Sequence, residues 1–179
     1  MSPRVPVSHF IVVVNPAGAG DLVASLVDPT GGAQISNIVF TGAPQCAGIF
    51  SAGQLAVPQA MFPDTGIVLS TGDPVSLAFQ DLDDTSLSYG LGGDPSLDSL
   101  IGAITCDACV VKFDVQCLAG RDGPANVAFE YAWVLGAWGS EGYNEFTGSQ
   151  FNDVFGFFLN GNNIALLPDA VTPVSTSTL

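Results

Sequence analysis

The sequence predicts an all-β chain, an antiparallel β-sandwich or jelly roll with one or two short helices, built as a single domain over residues 1–179. Three observations carry this. Apolar residues make up 47% of the chain but charged residues only 11%, a balance of short apolar strands rather than charged amphipathic helices. The 21 Gly and 12 Pro punctuate the chain into runs of strand length. No internal repeat or linker divides the chain, and its length suffices to bury one core.

Taken in order, the candidate strands are His9–Asn15, Ile35–Thr41, Ala47–Ser51, Gly66–Ser70, Ala108–Gln116, Ala125–Val134, Asp153–Leu159 and Asn162–Leu167, most of them rich in Val, Ile and Phe. One helix is expected over Gly20–Val27, where Asp21 can cap and Leu22, Val23, Leu26 and Val27 form an apolar face. A second helical turn is expected at Ser96–Ile101, with Leu97, Leu100 and Ile101 turned inward. Asn160-Gly161 lies between two strand runs. Both residue types tolerate the positive φ of a primed turn, so Asp153–Leu159 and Asn162–Leu167 are expected to be antiparallel neighbours.

The formal net charge of −14 excludes a general affinity for nucleic acid or anionic membrane, because both are polyanions. Cations are the favoured partners. Glu141, Asn144, Glu145, Gln150, Asn152 and Asp153 cluster in sequence with almost no cation nearby, and oxygen ligands of this kind are the Ca²⁺ set. Glu141, Glu145, Asn152 and Asp153 are therefore candidate metal ligands, and the alternative is that they only solvate a hairpin end. Asp94 and Asp98 form a weaker second candidate: they stand four apart, and if Pro95 opens a helical turn both carboxylates can face one ion.

Catalysis is not expected. The chain has one His and one Lys and lacks G-x-S-x-G, H-E-x-x-H and a Cys–His pair, which leaves few means of general base chemistry. Glu141 and Glu145 as the acid and nucleophile of a glycoside hydrolase is the least favoured reading. Trp133, Trp138, Tyr143 and Phe146 can stack on sugar rings, so a carbohydrate-binding module is the runner-up, although such residues more often build a core. No apolar run reaches the length of a transmembrane helix, so direct membrane insertion is not expected.

The stretch GSEGYNEFTGSQFNDVFGFFLNGNNIALLP resembles the central signature of the choice-of-anchor L domain family, S-E-E-Y-x-E-[FY]-x-G-S-x-F-N-D-x-F-G-F-F-L-x-G. Upstream, DLVASLV, NIVFTGAPQCAGIFSAG, FPDTGIVLSTGDP and GGDPSLDSLIG follow in the family's order, so the resemblance runs from about Asp21 to Val174. It implies a secreted or surface-displayed β domain and no particular reaction. Gly142 stands where the family carries a second Glu, which removes one potential ligand.

In such an extracellular chain the four cysteines, Cys46, Cys106, Cys109 and Cys117, favour disulfides. Cys109 and Cys117 bracket one strand and cannot reach each other. This leaves Cys106 with Cys109 across a tight turn, or one of these with Cys46 or Cys117. The preferred pattern is Cys46–Cys117 with Cys106–Cys109, the alternative being that some of the four remain buried free thiols.

Family members generally continue beyond the segment that ends this chain, so its last strands are expected to be missing or supplied from elsewhere. Phe10–Val14 is apolar on both faces, the pattern of a strand buried within a sheet. Together these features suggest a homo-oligomer or filament in which residues 1–15 add to a neighbour's sheet, the alternative being that this strand folds back into its own. The expected role is extracellular, structural or adhesive, and calcium-stabilised.

Overall fold

A computed structural model describes residues 11–13, 18–26, 33–51, 65–72, 74, 87–117, 131, 133 and 152–178. These residues are mostly short strands with two short α-helices, in agreement with the all-β expectation. Strand β1 (Ile11–Val13) is followed by α1 (Ala19–Leu26) and β2 (Ala33–Thr41). A single 3₁₀ turn at Pro44–Cys46 leads into β3 (Ala47–Ser51), then β4 (Thr65–Leu69) and α2 (Pro95–Ile101). Strand β5 (Val110–Cys117) precedes four two-residue strands, β6 (Val154–Phe155), β7 (Phe158–Leu159), β8 (Asn162–Asn163) and β9 (Val174–Ser175). The expected strand Ala125–Val134 lies largely outside the described residues.

All pairings are antiparallel, and the sheets are small and unclosed. The first has the order β1-β3-β4; the others pair β2 with β5, β6 with β9 and β7 with β8. Among the described residues Ile11–Val13 sits at the edge of its sheet, with Val12 opposite Phe50. Helix α1 begins one residue before its expected start, which places Asp21 in the first turn rather than at the cap. Its apolar face buries Leu22 and Val23 and packs against β2, β3 and β4.

In β2 the side chains alternate until the pairing shifts by one residue between Ser36 and Val39. Asn37 adopts φ 53° there, and its Nδ2 donates to Asp114 Oδ2 across the pair at 2.6 Å. Asn tolerates this conformation better than the β-branched residues around it. The bulge resets the pleat: Ile35, Ile38 and Phe40 are half-buried while Val39 faces out. Phe158↔Asn163 and Leu159↔Asn162 pair around Asn160 (φ 50°) and Gly161 (φ 83°), the primed turn expected from the sequence. Val154–Phe155 does not continue into that hairpin; it pairs with β9 instead, so the expected single strand Asp153–Leu159 is two strands in two sheets.

The expected cysteine pairing is overturned. Cys46 bonds to Cys109, with Cα atoms 6.1 Å apart, and Cys106 is a free, exposed thiol. The reason is topological: the 3₁₀ turn places Cys46 at the start of β3, beside the residue that enters β5, whereas Cys117 pairs with Ala33 at the far end of β5. Eight extended residues span about 26 Å, so Cys46 cannot serve both ends. Around the bond lie the buried Ala43, Ala47 and Ala108, small residues that let the two sheets approach.

Gly42 completes this contact. Its φ is 140°, and a Cβ there would stand 2.8 Å from the Ala108 carbonyl oxygen and 2.9 Å from Cys46 Sγ. Gly42→Ala is therefore expected to destabilise the fold by about 2–4 kcal/mol, combining backbone strain with overpacking. Urea unfolding checks this, and a midpoint equal to that of the parent protein contradicts it.

Candidate functional site

Of the six residues singled out as cation ligands, the structure describes four, in two pairs. Glu141 and Glu145 lie outside the described residues. Asp94 caps α2 and Asp98 lies on it, and Asn152 and Asp153 lead into β6. Among the described residues no three His, Cys, Asp or Glu side chains gather as a ligand set.

The α2 pair is engaged in organising its own loop. Asp94 is the N-cap: its Oδ1 accepts from Ser96 N–H at 2.8 Å, Pro95 fills the first helical turn, and Gly102 at φ 68° ends the helix. Thr105 ties both carboxylate residues together. Its hydroxyl donates to Asp98 Oδ1 at 2.6 Å and accepts from the Asp94 backbone N–H at 3.1 Å, while its own N–H donates to Asp98 Oδ1 at 2.7 Å. The close approach depends on Gly93, where a Cβ would overlap Thr105. Lys112 approaches Asp94 Oδ2 at 3.2 Å, so a cation already stands beside that carboxylate.

One acid in this region escaped the sequence reading. Asp107, at φ 51°, accepts from Leu91 N–H at 2.6 Å, from Tyr89 N–H at 3.1 Å and from the Ser88 hydroxyl at 3.2 Å. The sequence signal was its place inside Cys106-x-x-Cys109, where an Asx residue can fold the chain back on itself. With the Gly92↔Cys106 bridge, the bonds to Asp94, Asp98 and Asp107 tie residues 88–107 into one hydrogen-bonded loop.

At the other candidate pair, Asn152 Oδ1 accepts from Ser177 N–H at 2.9 Å, and the Asp153 carbonyl accepts from Thr176 N–H at 2.9 Å. These bonds extend the β6–β9 ladder. Ser175 and Thr176 are buried polar residues, and Ser175 Oγ lies 3.1 Å from the Thr178 hydroxyl, which donates onward to the Pro173 carbonyl at 2.8 Å. Asp153 as a residue is exposed, yet desolvation of its carboxyl by neighbouring groups raises its pKa above the usual carboxylate range.

Of the aromatics considered as a sugar platform, Trp138, Tyr143 and Phe146 lie outside the described residues. Trp133 is half-buried, its ring 6.4 Å from that of Phe155, and its indole N–H is buried. Tyr131 stacks on Phe155 at 5.0 Å and is 42% exposed.

The choice-of-anchor L domain profile matches residues 13–179. The chain belongs to that family. Membership suggests that the choice-of-anchor L chain is an extracellular, surface-associated and non-catalytic domain. No helix among the described residues is long and apolar enough to cross a membrane. Comparison with curated proteins and with solved structures returns no match to this chain.

The carboxylates of this choice-of-anchor L domain divide by sign. At Asp94 partial desolvation acts upward, but the Ser96 bonds and Lys112 outweigh it and the pKa is lowered. The Thr105 hydroxyl and N–H lower Asp98, and the Thr172 hydroxyl with the Thr172 and Val171 N–H groups lowers Asp169. Groups lowered by folding stabilise above their unfolded value and lose that contribution as pH falls through the folded value. Asp153 has the opposite sign: the folded state binds its proton first, so acidification from neutrality initially favours folding there. Stability is thus expected to decline once pH passes below the ordinary value of 3.8, with Asp153→Asn flattening any rise on the way down. Urea midpoints across an acid series check this, and a midpoint still climbing below that value contradicts it.

Proposed function

We propose that this is a non-catalytic structural domain of an extracellular surface that assembles by strand exchange, its small sheets being layers of a β-sandwich. The observation that carries the reading is β1. Among the described residues it is an edge strand held by three residue pairs, its sequence Phe10–Val14 is apolar on both faces, and Asn15-Pro16-Ala17-Gly18 separates it from α1. Whatever contacts β1 makes with β3 at home, the β1 of another copy makes identically in exchange, so transfer costs little beyond association. The half-buried, half-exposed alternation of β2 supports the sandwich, since a face of that kind packs on a second layer. A sugar-binding reading ranks second; Tyr131 supports it, and Trp133 weighs against it through its buried indole N–H.

Val12 and Phe50 are opposite one another, so cysteines at both positions report where β1 lies. In a Cys106→Ser background, Val12→Cys with Phe50→Cys is expected to give a ladder of covalent oligomers on a non-reducing gel. A purely internal cross-link, in protein that stays monomeric when concentrated, sinks the exchange.

Calcium stabilisation belongs to the same proposal, with Glu141, Glu145, Asn152 and Asp153 as ligands and Asp94 with Asp98 as a lesser candidate. Its support is the acidic sequence cluster together with Asp153, whose charge is costly where it sits and would be offset by a bound cation. An ion that binds only the folded state raises the melting temperature with occupancy. Melting is expected to occur at higher temperature in excess Ca²⁺ than in EDTA, and the difference to shrink in Asp153→Asn; coincident curves for the parent protein dismiss the ion.

A further inference from the structure

The tip of the β7–β8 hairpin carries the chain's one Asn-Gly dipeptide, Asn160-Gly161. We infer that Asn160 is a site of spontaneous backbone-assisted deamidation, a self-modification that remodels this hairpin with time. The reaction needs a backbone nitrogen able to reach the preceding carboxamide, little bulk on the residue bearing that nitrogen, and access to water. Gly161 supplies the first two. It has no side chain, its N–H makes no backbone hydrogen bond among the described residues, and no heavy atom lies within 4 Å of where its Cβ would stand. Both turn residues are exposed, and the Asn160 carboxamide takes no hydrogen bond among the described residues.

The other described asparagines differ on at least one of these counts: Asn162 is exposed as well, but the nitrogen that would attack it belongs to Asn163, whose side chain hinders the ring. Asn37 is bonded to Asp114 and precedes Ile38. Asn152 accepts from Ser177. Asn163 Oδ1 accepts from the N–H groups of Phe157 and Ala165, and its Nδ2 donates to the Ala165 carbonyl. Each of these three carboxamides would have to give up a hydrogen bond, and each precedes a residue bulkier than glycine.

The balance is simple. The deprotonated Gly161 nitrogen attacks Asn160 Cγ, an N–C bond forms, the C–NH₂ bond breaks and ammonia leaves with a proton from solvent, giving a five-membered imide. Water then opens the imide at either carbonyl, yielding aspartate or isoaspartate; no oxidant or reductant takes part. Ring closure requires Asn160 to leave the left-handed conformation. Only the two residue pairs of β7–β8 oppose that opening at the tip. The product matters to the fold because isoaspartate inserts a methylene into the backbone of a two-residue turn, whose twist matches the strands only without it. The chain also gains one negative charge.

The test incubates the intact folded protein in mildly alkaline buffer and maps peptides by mass spectrometry, scoring amide-to-acid conversion and isoaspartate at every asparagine. Conversion is expected first and most at Asn160, with isoaspartate among the products, and ammonia release is expected to be lost in Asn160→Gln, whose longer side chain disfavours the ring. The same chain unfolded in urea gives the unprotected rate. If Asn160 converts in urea while remaining intact in the folded protein, or if another asparagine leads in the folded protein, the inference is overturned.

Discussion

The Cys46–Cys109 bond is the constraint on which the described architecture turns. It joins the residue that opens β3 to the residue that opens β5, and so fastens the three-stranded sheet to the β2–β5 pair across 63 positions of chain. Closing a loop of that length removes unfolded-state freedom worth about 4 kcal/mol in the chain-entropy picture. That contribution is available only because nothing large stands at the junction: Gly42, Ala43, Ala47 and Ala108 leave room for the backbones to meet. The larger buried groups Leu22 and Val23 then come from the one helix laid against these strands.

Much of this was legible in the chain itself. Runs of β-branched and aromatic residues located β2, β3, β4 and β5 to within two or three residues, and Asn160-Gly161 fixed a hairpin with its register. Pro95 and the apolar Leu97, Leu100 and Ile101 placed α2 to within a residue. What escaped was whatever depends on partners distant in sequence. The disulfide partner of Cys46 follows from which strand ends coincide, and spacing along the chain carries no such information. The split between β6 and β7 escaped for the same reason: VFGFFL reads as one strand until β9 claims its first half.

The acidic residues teach a related lesson. Asp94 and Asp98 at helical spacing are cation candidates by sequence, and in the structure they also serve as acceptors that close a loop, with Thr105 supplying donors to one and Lys112 approaching the other. A carboxylate in an irregular segment meets backbone N–H groups as readily as ions, since every turn leaves donors that the ladder does not use. Sequence shows the charge but not which donors surround it, so the two roles look alike before the fold is known. Asp153 is different in kind, because its environment opposes its charge.

The buried hydroxyls of β9 bear on how this end of the molecule finds a single alignment. An oily strand can slide by two residues and lose little, as one aliphatic group replaces another. Ser175 and Thr176 cannot: the Thr176 N–H and hydroxyl on the Asp153 carbonyl, and the Ser177 N–H on Asn152 Oδ1, come together at one setting, while the hydroxyl chain from Ser175 through Thr178 to the Pro173 carbonyl holds the segment in the shape that presents them. Any slipped arrangement strands polar atoms away from water, so this short segment acts as a lock keyed by direction and distance, and it rejects near misses that greasiness alone would accept.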